Sequence, residues 1–253
     1  MLIDTHCHLD FPEFDQDRDE VVRRASLAGV ERIINVASSL EASRRAAELA
    51  RSYEGVYATV GIHPHEADDF RQEQIPVLRQ LAKENKVAAI GEIGLDYYRG
   101  YSRQENQKLL FSALIALAKD LNLPLVIHSR QAQNDTIQML KEYLPLRAVV
   151  HCFSGGADFL KECLELGFFV SFTCNITYHK AADLRELVKA VPMGRMFLET
   201  DAPFLPPEGR RGTRNEPCYV KELAEEIAGL KQVGVEDIAR VTTASAVDFF
   251  NLR

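Results

Sequence analysis

The chain has 253 residues, the size of one large α/β domain. Its 46% hydrophobic and 26% charged residues are ordinary globular usage, which excludes a disordered tail, a collagen-like repeat and a coiled coil. With 30 Lys+Arg against 37 Asp+Glu the net charge is −7, which argues against coating a nucleic acid through a global positive field but leaves room for a local basic patch or a metal site that binds phosphate.

Short Val/Ile/Phe-rich runs alternate with amphipathic stretches along the whole chain. The runs predict strands at Leu2–His6, Arg32–Val36, Val56–Ile62, Val87–Ile93, Pro124–His128, Ala148–Phe153, Phe168–Phe172 and Arg195–Thr200. Several are nearly continuous in apolar residues, as expected of parallel strands covered on both faces. Between them the periodicity predicts helices at Asp17–Ala28, Glu41–Arg51, Glu73–Glu84, Arg103–Leu121, Gln133–Tyr143, Ala157–Leu166 and Lys180–Ala190, then Pro217–Leu230 and Val235–Asn251. Eight strands each followed by a helix predict an α/β fold of the (β/α)8 TIM-barrel type. A doubly wound sheet would carry a Gly-rich turn after its first strand, and neither GxGxxG nor GxxxxGK[ST] occurs. No linker composition divides the chain, so residues 1–253 read as a single domain. The longest expected loop, Ala202–Glu216, is rich in Pro and Gly, and a loop of that length in a compact domain is often functional.

The five cysteines are scattered and odd in number, with no CxxC pair, which implies no disulfide framework or zinc ribbon. The first residues turn polar within four positions, without a basic stretch, and no apolar run is long enough to span a membrane. The expectation is a cytoplasmic protein with no membrane contact and no obligate protein partner.

Residues able to bind metal gather where the strands end. Asp4-Thr5-His6-Cys7-His8 closes the first strand, and residues two apart in an extended chain share a face, so His6 and His8 project together while Cys7 turns to the helix layer. Glu92 lies in the apolar, Gly-flanked Ala89–Gly94, where a buried carboxylate needs a cation or an Arg partner. His128, His151 and Asp201 end or follow the fifth, sixth and eighth strands. Singly, these histidines read as satisfied core residues or ligands, and Asp201 as a turn residue or ligand. Jointly, six such groups at C-terminal strand ends occupy the face that houses TIM-barrel active sites. Imidazole and carboxylate suit Zn²⁺, Mn²⁺, Fe²⁺ or Ni²⁺, with Mg²⁺ a further candidate. Six ligands exceed one open tetrahedral site and fit two divalent ions sharing a carboxylate.

Several stretches in order resemble the TatD family of metal-dependent deoxyribonucleases, among the amidohydrolase-like barrels, over essentially the whole chain. They are Leu2–Asp10, Gly61-Ile62-His63-Pro64-His65, Gly91–Tyr97, Pro124–Arg130, His151-Cys152-Phe153-Ser154-Gly155 and Leu198–Pro203. The resemblance implies that His6, His8, Glu92 and Asp201 hold one metal and that Glu92, His128 and His151 hold the second. It implies a catalytic role for Glu92 and Asp201 and a DNA substrate, single-stranded and trimmed from the 3′ end.

His63 and His65 have no metal position in that set. His63 could protonate a leaving alkoxide or bind phosphate, and His65 is a substrate-binding candidate, or the pair could order the loop around Pro64. Asp4 and Glu199 share the facing of His6 and Asp201 and could orient them or form a structural ion pair. Arg130, two residues past His128, is a phosphate-binding candidate. Arg99 and Arg103 follow the fourth strand, and Arg210, Arg211 and Arg214 crowd the last loop, so all five are expected to ring the mouth as a DNA-binding collar, or to be ordinary solvated charges. Without such a collar, the same metals would serve an enzyme acting on a small amide, lactone or phosphoester. A non-enzymatic metal-stabilised scaffold is the third reading, disfavoured because structural metal sites are closed and four-coordinate.

Overall fold

The computed structural model describes residues 1–252. Among them, strands and helices alternate as β1 (Leu2–Cys7), α1 (Arg18–Leu27), β2 (Val30–Asn35), α2 (Leu40–Ser52), β3 (Val56–Val60), α3 (Gln74–Leu81), β4 (Val87–Asp96) and α4 (Gln104–Leu121). They continue as β5 (Leu125–Arg130), α5 (Gln133–Glu142), β6 (Ala148–Val150), α6 (Ala157–Glu165), β7 (Phe169–Phe172), α7 (Ala182–Ala190), β8 (Met196–Leu198), α8 (Val220–Lys231) and α9 (Val235–Phe250). The strands pair in parallel and in sequence order. The ring closes where β1 and β8 run out: Cys7 bridges Ala202, and the His8 N–H donates to Ala202 O at 2.8 Å. The fold is the (β/α)8 barrel that the alternation predicts. No helix among the described residues is long and apolar enough to cross a membrane.

Seven strands contribute to a shared apolar cluster that includes Ile3, Ile34, Tyr57, Ala88, Ala89, Val126, Val149 and Phe197. A cluster fed from around the ring fills the barrel interior, and Phe249, Phe250 and Leu252 at the end of the chain join it. Two residues further along, on the same face of the pleat, stand Thr59, His128, His151 and Glu199. The interior thus changes from apolar to polar towards the C-terminal strand ends. Gly91 and Gly94 allow β4 to run against β5. A Cβ on Gly91 would lie 2.5 Å from the Val126 Cβ, and one on Gly94, at φ 138°, would lie 2.0 Å from His128 O.

The strand limits differ from expectation in an instructive way. β6 and β8 are only three residues each, so His151 and Asp201 stand beyond the ladder rather than inside a strand. Asp201 takes a left-handed φ of 57°, a conformation that Asp tolerates better than most side chains. β4 runs on past Ile93 to Asp96, because Gly94 bends it without ending it. α7 begins at Ala182 rather than Lys180, and the expected helix from Pro217 opens as a 3-10 turn before α8.

Candidate metal centre

The C-terminal strand ends surround a cavity of about 650 Å³, into which β1, β4, β5, β6 and the segment after β8 deliver His8, Glu92, Asp96, His128, His151 and Asp201. His6, wholly buried, lies beneath it. Glu92 sits at the centre. Its N–H donates to Ala37 O at 2.8 Å, which fixes the backbone, and its two carboxylate oxygens face different partners. Oε2 lies 3.6 Å from His6 Nε2 and 4.0 Å from His8 Nε2. Oε1 lies 2.8 Å from His128 Nδ1, 2.7 Å from His151 Nε2 and 3.4 Å from His63 Nε2.

The Oε2 side has the spacing of a cation cage. His6 Nε2 and His8 Nε2 are 3.4 Å apart, and Asp201 Oδ1 is 3.7 and 3.5 Å from them. Ligand atoms at zinc-type bond lengths around a tetrahedral cation stand about 3.4 Å from one another. The His8 Nδ1–H is committed to Val36 O at 2.8 Å, which leaves the Nε2 lone pair facing inward. Asp201 is aimed by its own N–H, which donates to His6 O at 2.8 Å. The Oε1 side is drawn closer, to hydrogen-bonding distances, with His128 Nδ1 and His151 Nε2 3.4 Å apart. Besides His6, His8 and Glu92, two groupings bring their donor atoms within 4.8 Å of one another: His63, Glu92 and His128; and His6, His151 and Glu199. The donor set, imidazole and carboxylate, fits a divalent cation.

Charge follows from this packing. Burial alone would push the Glu92 carboxyl up, but His151, His63 and His128 outweigh it and hold the group well below the usual carboxylate range. Burial would drive His8 down, and the Asp201 carboxylate reverses this, raising the ring to about 8. His63 has too little compensation, so burial pushes it down to about 4 despite Glu92.

The two acidic residues of uncertain role separate here. Glu199 supports the centre: Oε1 lies 3.6 Å from His151 Nδ1 and accepts the Cys152 N–H at 2.6 Å, while Oε2 accepts from Ser171 Oγ at 2.7 Å. Asp4 touches no histidine ring. It accepts the Thr200 hydroxyl at 2.6 Å and the Thr200 and His6 N–H groups at 3.0 and 3.2 Å, so it ties β1 to the segment carrying Asp201. Burial pushes its carboxyl up to about 8 against those hydrogen bonds. Cys7, as expected, packs into the outer core.

Asp96 is the acidic residue that sequence reasoning missed. Fully buried at the end of β4, its Oδ2 lies 2.9 Å from His65 Nε2 and 3.0 Å from His128 Nε2, and its Oδ1 accepts the N–H groups of Tyr98 and Arg99. The signal was available: Asp96 lies an even number of residues from Glu92 in an extended chain. Asn175, from the turn after β7, also lines the cavity, with its Oδ1 buried and unpaired. It supplies the strand-seven contribution absent from the expected set.

The expected arginine collar divides. Arg99 and Arg130 line the cavity, and no carboxylate among the described residues pairs with either guanidinium; both lie over the Tyr98 ring, at 5.7 and 4.0 Å. The arginines of the last loop do not line it. Arg210 pairs with Glu222 at 2.7 Å over the Tyr219 ring, and Arg211 packs over Tyr178, 3.8 Å from Glu208. Arg214 grips Asp17 at 2.7 Å and Glu216 at 2.9 Å, beside Arg24. Arg103, exposed, faces Asp68. Of the expected collar, Arg99 lines the cavity, while Arg103, Arg210, Arg211 and Arg214 each face a carboxylate.

Arg214 therefore bears on stability. Its hydrogen bond holds the Asp17 carboxyl down to about 2. The pair contributes fully above the unfolded carboxyl value of about 4 and is lost as pH falls towards 2. Arg214→Gln is expected to cost about 1 kcal/mol, or about 2–4 °C in Tm, at neutral pH. Thermal melts should show the gap narrowing as pH falls below about 4 and closing towards about 2; a gap undiminished near pH 2 contradicts the assignment.

Residues 3–251 match the model of the family described as TatD related DNase. The chain is 42% identical to the uncharacterized metal-dependent hydrolase YabD of Bacillus subtilis, covering all of both chains. It is 37% identical to the 3′-5′ ssDNA/RNA exonuclease TatD of Erwinia tasmaniensis, across 99% of this chain and 100% of that one. In three dimensions it is similar to YJJV, a TatD homolog from Escherichia coli, with a TM-score of 0.94 at 33% identity over 100% of this chain and 98% of the other. With the barrel, the ligand groups around Glu92 and these full-length likenesses in view, the chain belongs to the TatD family of metal-dependent hydrolases.

Proposed function

We propose that this hydrolase cleaves phosphodiester bonds of single-stranded DNA, shortening strands from the 3′ end, with two divalent cations at the Glu92 centre. The observation that carries the reading is one cavity holding both a carboxylate shared between two ligand sets and two arginines free of carboxylate partners. A small neutral amide or lactone has no use for such arginines, whereas a phosphodiester chain does. The 3′-5′ ssDNA/RNA exonuclease activity named for the Erwinia relative supports the same choice.

When bound, the two cations would neutralise phosphodiester charge and bring the pKa of water within reach of neutral pH. His6, His8, Asp201 and Glu92 Oε2 would hold one, and His128, His151 and Glu92 Oε1 the other. Asp96 steadies the His128 ring through a hydrogen bond, and the Glu199 carboxylate stands 3.6 Å from His151 Nδ1, so the His128 imidazole is oriented before substrate arrives. Arg99 and Arg130 take the non-bridging oxygens and seat the strand. His63 Nδ1 accepts the His65 N–H at 3.2 Å, so the neutral ring carries its proton on Nε2, facing Glu92 across the cavity. With the Glu92 carboxylate engaged by a cation, that N–H would be free to donate to the substrate phosphate, the phosphate-binding alternative for His63. His65, held by Asp96, supports it.

The test is metal-reconstituted protein on a 5′-labelled single strand, beside an RNA strand and a panel of amides and lactones. The expected result is a ladder of successively shorter labelled products that a chelator abolishes. An intact strand together with hydrolysis of an amide or lactone would overturn the reading.

A further inference from the structure

The two walls of the cavity differ in chemistry. The segment following β4 and the end of β5 supply Arg99 and Arg130; across the ring, the segments following β1 and β8 supply Phe11 and Phe204. Phe11 stacks on His8 with ring centroids 4.7 Å apart, and Phe204 meets Phe11 edge-on at 5.9 Å. Phe11 is half-buried, but Phe204 leaves 47% of its surface exposed. A lone exposed phenylalanine is ordinary, whereas this one is presented by a braced segment. Asp201 and Leu205, on either side of it, both have left-handed backbone, φ 57° and 53°, which leucine rarely adopts. Asn215, fully buried, places Nδ2 2.8 Å from Thr200 O, 2.5 Å from Phe204 O and 3.2 Å from Leu205 O, and its N–H donates to Pro203 O at 3.0 Å. The Phe204 N–H donates to Asp201 O at 2.9 Å, so the turn that aims the carboxylate also aims the ring.

We propose that Phe204, backed by Phe11, is the stacking platform for an unstacked nucleobase of the nucleotide whose phosphate lies at the Glu92 centre. This rests on the nuclease reading above and adds how the strand lies: phosphates towards the arginine wall, base against the aromatic wall. Every base has a π-face, so the platform favours single strands over paired ends without reading sequence.

The test compares wild type, Phe204→Ala and Phe204→Trp in steady-state kinetics on a 5′-labelled DNA strand and on the same strand with abasic 3′-terminal nucleotides. Loss of one stacking contact should raise KM on the normal strand by about 5- to 150-fold, with a smaller change in kcat. Phe204→Trp should restore it. On the abasic strand, wild type should fall to the level of Phe204→Ala, and the substitution should have no further effect. Equal losses on both strands would place the ring's role in holding Asp201 and would overturn the platform, as would no loss on either. Fluorescence anisotropy with a 5′-fluorescein strand of phosphorothioate linkages, which resist hydrolysis, repeats the comparison without turnover. If wild type leaves every strand uncut, the nuclease reading fails, and the platform is judged on whether Phe204→Ala weakens binding of the base-bearing strand alone.

Discussion

Glu92→Gln is expected to remove nearly all turnover and to lower the metal content of the purified protein in the same step. Glu92 faces both ligand groups, Oε2 towards His6 and His8 and Oε1 towards His128 and His151. An amide keeps the shape but carries no charge, and one of its two atoms donates where a ligand must accept. Removing a single preorganised stabilising group costs an enzyme about 10²–10³ in kcat, and Glu92 would serve both proposed cation positions, so the loss should exceed that range. His63→Ala, which leaves both ligand sets whole, should cost less, about 10². Turnover and elemental analysis on the same preparations decide it. A Glu92→Gln protein that keeps two metals and near-normal activity contradicts the assignment.

Replacing Arg99 and Arg130 together by Gln should weaken single-strand binding and flatten its dependence on salt. Each arginine–phosphate contact on a single strand contributes a slope of about −0.7 in log K against log salt, so loss of both should reduce the slope by about 1.4. The triple change at Arg210, Arg211 and Arg214 should leave the slope where it was, because those guanidiniums already face Glu222, Glu208, Asp17 and Glu216. Binding titrations at several salt concentrations separate the two sets. A slope that responds to the triple change, and not to the double, would move the strand to the last loop.

The contrast between these arginines shows where the sequence was legible. Hydrophobic period and strand-end chemistry were local, so the barrel and the convergence of His6, His8, Glu92, His128, His151 and Asp201 could be read from short stretches. Charge compensation is only partly local: Glu208 and Glu216 lie close to Arg211 and Arg214 in the chain, but other partners do not. Asp17, which neutralises Arg214, lies 197 residues earlier in the chain, and no pattern near Arg214 announces it. Asp96 was hidden for a different reason. Gly94 punctuates β4 and reads as its end, yet its positive φ carries the strand onward into the mouth. Phe204 escaped notice because an apolar residue in a Pro-rich loop looks like packing, and only the brace from Asn215 shows that it is held outward.

The measurement closest to the central claim is anomalous scattering from crystals of metal-reconstituted protein. The account predicts two sites per chain, one among His6, His8 and Asp201, the other between His128 and His151, with Glu92 reaching both. A saturated metal bound elsewhere, with these six residues uncoordinated, would contradict it.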